Sequence, residues 1–312
     1  MFALGQKSFA LLEERGVLAV GGADARQFLQ GLVSNDIDKV GPERAIYAAL
    51  LNAQGKFLHD FFIAEVEGTL VIDCEGARLG DLKRRLDFFK LRAEVTIEDA
   101  SDRYAVAVLL GDGPHDSESL RGQEGQGGSF AGGICFVDPR FAGIGARAIL
   151  PKDGAADALQ AAGFTPATAE DYDQARLGYG LPDGSQDLRV EKSLLLESGF
   201  EELNGVDWDK GCYVGQELTA RTRYRGLVRK RLMPVTIEGP LPPSGTPIML
   251  GGKEAGEMRS GRGQAGIALL RLEMVERAEK QDQAFTAEGA RLKAHKPAWM
   301  EIESPTEADP PG

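Results

Sequence analysis

A chain of 312 residues is too long for one small core and implies two or three packed units. With 42% hydrophobic and 27% charged residues it has the composition of a soluble globular protein, and no apolar run approaches the ~20 residues that span a bilayer. A formal net charge of −12 argues against a surface built mainly to grip nucleic-acid phosphates, and with nothing that spans, neither nucleic acid nor a membrane is expected as a partner.

The first residues, Met-Phe-Ala-Leu-Gly-Gln-Lys, carry neither a basic, apolar export signal nor an Arg/Ser-rich transit character, which points to the cytoplasm. Residues 8–20 read as a short helix or turn leading into a strand over 16–20, broken by Gly21-Gly22. Asp24 is placed to cap a helix through Leu32, with Phe28, Leu29 and Leu32 facing a core. Strands follow at 45–51, 57–66 and 69–73, with turns at Asn52–Gly55 and Glu67-Gly68, in the manner of an antiparallel meander. A helix over 77–89 is basic along one face, and strands near 93–97 and 104–110 come after it. Gly, Ser and acids from 111 to 133 predict a surface loop. Next come a strand over 147–150, a helix over 155–162, and a helix over 169–177 that Gly178 should end, before an irregular stretch at 182–191. After Arg231, short β-runs alternate with Gly/Pro turns, which predicts a small barrel or sandwich, and 305–312 is a disordered tail by composition.

The thiols narrow the chemistry. Cys74, Cys135 and Cys212 form no CxxC pair, and His59, His115 and His295 are too scattered for a zinc site. Three thiols are also too few for an iron–sulfur cluster held by this chain alone, so a cluster handled here would be shared with another molecule. Cys74 and Cys135 lie in strand-like runs. Cys212 lies in Lys210-Gly-Cys-Tyr-Val-Gly-Gln-Glu217, where Asp209 can cap a helix whose first turn holds Lys210, Gly211 and Cys212. A helix N-terminus and a neighbouring lysine both lower a thiol pKa. Gly211 and Gly215 each cost a helix about 1 kcal/mol, which suggests that something approaches the backbone closely. A lone cysteine is as readily a small buried hydrophobe, and the residues alone leave both readings open. The run Arg221, Arg223, Arg225, Arg229, Lys230, Arg231 is either a solvated face or an anion-facing rim.

The segment Lys210-Gly211-Cys212-Tyr213-x-Gly215-Gln216-Glu217, then Thr219-Ala220-Arg221, resembles the signature of the YgfZ family, which is related in fold to the T-protein (aminomethyltransferase) of glycine cleavage. Leu196-Glu197-Ser198, Leu203-Asn204-Gly205-Val206, Arg229-Lys230-Arg231-Leu232 and the block from Asp24 through Asn35-Asp36 to Tyr47–Gly55 extend the match, which is especially similar to the mitochondrial branch. The resemblance implies an α+β fold: a T-protein-like ring of three domains, with interleaved α+β units and a C-terminal β-barrel. Its divisions would fall at 1–165, 166–231, which completes the α+β domains, 232–304 for the barrel and 305–312 for the tail. It further implies a tetrahydrofolate pocket and maturation of [4Fe–4S] proteins through Cys212, a shared cluster ligand, with Lys210 beside it. Partners would be an A-type cluster carrier or a monothiol glutaredoxin, and the [4Fe–4S] clients. Against the T-protein, Asp60 matches the essential carboxylate, Tyr47 a pocket tyrosine and Asp73 a pocket asparagine. Arg176, Glu197 and Arg221 complete the expected folate contacts. The T-protein's pterin-gripping Glu is missing from Arg176-Leu177-Gly178, and a second pocket tyrosine is Ala64. An assembly factor is therefore expected rather than an enzyme; the alternative is a folate-dependent one-carbon transferase using Asp60 as acid or base.

Overall fold

The structure is a computed structural model that describes residues 7–111, 123–226 and 228–300. Strands β1 (Ser8–Leu11) and β2 (Arg15–Gly21) open the chain, with helix α1 (Ala25–Gln30) after them. Strands β3 (Ile46–Leu51), β4 (Phe57–Val66) and β5 (Thr69–Glu75) form the expected meander, and its Glu67-Gly68 turn has positive φ at both residues. Helix α2 (Leu79–Lys90) buries Leu79, Leu82 and Leu86 at helical spacing, and β6 (Thr96–Asp99) and β7 (Tyr104–Leu110) follow. Strands β8 (Gly127–Phe130), β9 (Gly133–Val137), β10 (Ala146–Pro151) and β11 (Thr165–Pro166) come next, with α3 (Ala155–Ala161) before β11. Helices α4 (Ala169–Tyr179), α5 (Gly184–Asp187) and α6 (Gln216–Tyr224) lead to the last unit.

Consecutive strands do not stay together. β1 joins a six-stranded sheet in the order β11-β1-β7-β10-β9-β8, whereas β2 joins a five-stranded sheet in the order β3-β4-β5-β2-β6. The chain thus starts in one α+β unit, builds the other and returns with β7, which is the interleaving expected. The third unit is a closed barrel of β12 (Lys230–Glu238), β15 (Ala265–Arg271), β14 (Lys253–Arg262), β13 (Pro247–Leu250), β16 (Phe285–Ala287) and β17 (Ala290–Ala294), with α7 (Leu272–Lys280) packed beside it. The barrel begins two residues ahead of the boundary read from sequence. Trp299 fastens it to the rest: its Nε1 donates to the Tyr179 carbonyl at 2.7 Å and its ring lies over Gly199.

Several local expectations change. The segment expected as helix or turn near residue 8 is strand, because β7 and β11 take up its backbone hydrogen bonds from either side. The expected loop from 111 to 133 contains β8, held by β9; residues 112–122 and the tail at 305–312 lie outside the described residues. Helix α4 runs through Gly178 and ends at Gly180, whose φ of 71° provides the left-handed cap with its N–H on the Arg176 and Leu177 carbonyls. One helical turn, α5, stands in the stretch read as irregular.

Candidate functional site

No helix begins at Asp209. The segment from Gly205 to Gly215 is a loop, and α6 starts only at Gln216, so Cys212 does not sit in a helix's first turn. Asp207 folds this loop instead: its Oδ1 accepts from the Asp209 N–H at 2.8 Å and the Lys210 N–H at 2.9 Å, while its Oδ2 pairs with Lys39. Lys210 is likewise not an activator of the thiol. Its Nζ donates to the carbonyls of Gln30, Val33 and Asn35 at 2.7–2.8 Å, filling the acceptors left where α1 ends. Burial draws this ammonium down to about 8, with Asp36, Asp207 and Asp38 opposing. Its role is to pin the loop.

The two glycines beside Cys212 have different reasons. Gly215 has φ 83°, and a Cβ there would lie 2.5 Å from the Asn52 carbonyl oxygen and 2.8 Å from Leu51 Cβ. Gly55 answers it from the β3–β4 turn with φ 72°, its own Cβ position lying 2.7 Å from the Gly215 oxygen. Two glycines pressed together fix where the loop leaves the meander. Gly215→Ala is expected to cost more than about 1–2 kcal/mol, read as a lower urea midpoint, because left-handed backbone and backbone overlap are both penalised. Gly211, by contrast, has no atom within 4 Å of its Cβ position.

Other parts of the signature orient the loop. The Gln216 Oε1 accepts from the Tyr213 N–H at 3.2 Å, buried Tyr213 anchors the turn, and Glu217 pairs with Arg221 at 2.5 Å on the exposed face of α6. Arg221 is therefore engaged on the surface. Upstream, Ser34 Oγ donates to the Gly205 carbonyl at 2.6 Å, and Asn35 Nδ2 to those of Tyr47 and Asn204, both at 2.7 Å. The result is an exposed Cys212 on a loop held at both ends, while Cys74 and Cys135 are buried and burial pushes their thiols up to about 12.

The centre of the molecule holds the residues expected to contact a pterin, engaged with one another. Tyr47 Oη donates to Asp60 Oδ2 at 2.8 Å, and the tyrosine ring stacks on Phe200 at 4.9 Å. Burial raises the Asp60 carboxyl, with Arg15 opposing. Asp73 is fully buried and used on both oxygens: Arg15 Nε reaches Oδ1 at 2.6 Å and Arg147 Nη2 reaches Oδ2 at 2.7 Å. Arg140 makes a two-pronged pair with Asp138 at 3.0 and 2.8 Å and, with Arg147, donates to Tyr172 Oη. The guanidinium carbons of Arg147, Arg140 and Arg15 lie 4.0, 4.9 and 5.9 Å from the Phe62 ring centroid. Sequence reasoning missed Arg15, Arg140 and Arg147. The available signal was Arg147, a charge set inside the apolar run Ala146–Leu150.

Arg176 is not a pocket group either. It is buried, with Nη1 on Asp187 Oδ2 at 2.8 Å and Nε on Asp173 Oδ1 at 2.8 Å, joining α4 to α5. Glu197 stands apart, half-buried, its carboxyl raised by burial against Lys230, Lys56 and Arg259. A pterin gripped in the T-protein manner needs free acceptors at the centre. Asp73 has both oxygens in ion pairs and Asp60 gives Oδ2 to Tyr47, so among the described residues Asp60 Oδ1 is the acceptor of this set left open to a pterin N–H. Among the described residues no group of three His, Cys, Asp or Glu could hold a metal ion.

Comparison with known proteins agrees with this architecture. Residues 229–302 match the family described as CAF17, C-terminal beta-barrel domain, and residues 12–122 match the GCVT N-terminal domain. The iron-sulfur cluster assembly factor IBA57, mitochondrial, of Mus musculus is 37% identical over 284 residues, covering 85% of this chain and 77% of that protein. Its Homo sapiens counterpart is 37% identical over 278 residues, covering 83% and 76%. Among solved structures, the glycine cleavage system aminomethyltransferase T from Bartonella henselae superposes with a TM-score of 0.74 over 95% of this chain and 87% of that one, at 15% identity, a likeness of fold. The relatives also correct the compartment. They are named as mitochondrial proteins, which overturns the cytoplasmic placement; that reading rested on the composition of the first residues alone.

Proposed function

The chain belongs to the IBA57 family of iron–sulfur cluster assembly factors, and on that premise we propose that it matures [4Fe–4S] proteins by presenting Cys212 to a cluster carried by a partner. The observation that carries this reading is the position of Cys212: an exposed sulfur on a loop fixed by Lys210 on one side and by Gly215 against Gly55 on the other. The cluster is cargo. In the step proposed, the Cys212 thiol gives its proton to water and its sulfur bonds an iron of the partner's cluster, while the displaced ligand stays with the partner. The partner is an A-type carrier or a monothiol glutaredoxin, and the recipients are [4Fe–4S] enzymes. The step routes nothing through tetrahydrofolate. One-carbon transfer by Asp60 is not favoured, because that carboxyl is buried and already bonded to Tyr47.

Gly211 fits the same picture. Among the described residues nothing lies close enough to require glycine there, so the missing side chain leaves room for the approaching partner. The test is visible absorption and circular dichroism of a cluster-loaded A-type carrier mixed with wild type, Cys212→Ser or Gly211→Val. Wild type should change the spectrum at a stoichiometric endpoint, Cys212→Ser should not, and Gly211→Val should weaken the effect while leaving the urea midpoint unchanged. An identical spectral change with wild type and Cys212→Ser would remove the proposal.

A further inference from the structure

Most of the molecule's large apolar side chains are covered, and the main exception among the described residues is local. At the end of α2, Phe88 is 76% exposed, Phe89 39% and Leu91 90%. The helix is anchored by Leu79, Leu82 and Leu86, so these three side chains are surplus to its packing. The two phenylalanine rings meet edge to face at 5.5 Å, forming one apolar tip. Leu91 occupies φ 45°, ψ −106°, in a turn closed by the Ala93 N–H on the Lys90 carbonyl. The first central position of such a turn favours glycine, yet a leucine stands there and points outward.

The charge around the tip is as uneven as its hydrophobicity. Between residues 78 and 92 the sequence carries Arg78, Lys83, Arg84, Arg85, Lys90 and Arg92 against Asp81 and Asp87, in a chain whose net charge is −12. Arg84 stands one helical turn before Phe88 and Arg85 one turn before Phe89. Asp81 is shared by Arg78, Arg84, Arg85 and His59, Arg85 also reaches Glu191 at 3.8 Å, and Asp87 is held by Lys83 at 2.6 Å. Lys90 and Arg92, which bracket Leu91, have no ion-pair partner among the described residues. Glu94, the next acid along the chain, is exposed beyond them.

We propose that this end of α2 is a peripheral attachment site for an anionic bilayer surface. Phe88, Phe89 and Leu91 enter the boundary between headgroups and acyl chains, and the flanking cations meet lipid phosphates. Side chains this exposed stand out from the surface rather than line a groove, so a matched protein socket is not what they form; a lipid surface closes around such a tip without one. No membrane partner was expected from the sequence, on the ground that nothing in it spans. No helix among the described residues is long and apolar enough to cross a membrane, and a wedge of this kind needs none.

The experiment is co-flotation of the full chain with phosphatidylcholine vesicles, with and without about one-third phosphatidylglycerol. Wild type should float with the anionic vesicles and not the neutral ones, less so at high salt. Phe88→Ser/Phe89→Ser and, separately, Lys90→Glu/Arg92→Glu should each reduce the bound fraction at least about tenfold, with far-ultraviolet circular dichroism unchanged. Failure of wild type to float overturns the proposal. So does a response to the charge pair alone, which would leave no insertion. A dimer that Phe88→Ser/Phe89→Ser dissociates, or retention of an acidic protein by the same tip without flotation, would also overturn it.

Discussion

Cys212→Ser is expected to leave [4Fe–4S] enzyme activity at the level of the empty control in cells that depend on this protein, while its folding is unchanged. The replacement is nearly isosteric and the side chain is exposed, so stability should stay within about 0.5 kcal/mol of wild type. The hydroxyl neither ionises near neutrality nor binds iron as a thiolate does, so the ligand is lost while the loop remains. Cys135→Ser is the useful contrast. That thiol stands on β9, buried in the apolar cluster that also holds Leu109 and Leu159, and a hydroxyl there carries a desolvation cost, so stability should fall while residual activity follows the amount of folded protein. Near-normal enzyme activity with Cys212→Ser would end the assembly mechanism and leave the fold assignment standing.

The architecture was legible because its signals are periodic. The largely apolar run at 57–66, interrupted by His59, Asp60 and Glu65, and the wholly apolar run at 104–110 marked β4 and β7, and the Gly/Pro punctuation after Arg231 marked the barrel. The site was legible as a set of blocks, and the structure explains why those blocks travel together. Ser34-Asn35 and Asn52–Gly55 are distant in sequence from the loop that carries Cys212, yet they hold it through Asn204-Gly205 at one end and Gly215 at the other, while Lys210 reaches back to the end of α1. Individual roles were less legible. Lys210 read as a neighbour of the thiol because it is close in sequence, but its direction was decided by three carbonyls some 175 or more positions away in the chain. Asp209 read as a cap because its own spacing allowed it, while Asp207 took the turn. Asp73 and Arg176 were read as pocket groups by position, and their tertiary partners, Arg147 and Asp187, lie where no local pattern points.

Asp73→Ala should lower stability by about 3–5 kcal/mol, a large part of the roughly 5–15 kcal/mol that holds a typical domain folded. The carboxylate is shared between Arg15 on β2 and Arg147 on β10, so it ties the five-stranded sheet to the six-stranded one. Its removal leaves two guanidiniums, with side-chain exposures of 6% and 2%, without their principal counter-charge, and arginine cannot escape by losing its proton. Urea unfolding at pH 7 measures the loss. Replacing both Arg15 and Arg147 by Met together with Asp73→Leu should recover much of it, because an apolar trio of similar volume leaves no unpaired charge behind. A midpoint for Asp73→Ala equal to wild type would mean that the buried pairs contribute nothing to the join between sheets. Acid should probe the same centre with a definite sign. Burial pushes Asp138 up, but Arg140 and Arg147 hold it below its ordinary value, so its contribution is complete above about pH 4 and is lost as pH falls through the lower folded value. Burial with Asp183 nearby keeps Asp60 raised, so that group opposes the trend and favours the fold on acidification. If the charge centre is a structural join, activity should disappear in Asp73→Ala only as the folded fraction does, whereas Cys212→Ser removes activity from a protein that remains folded.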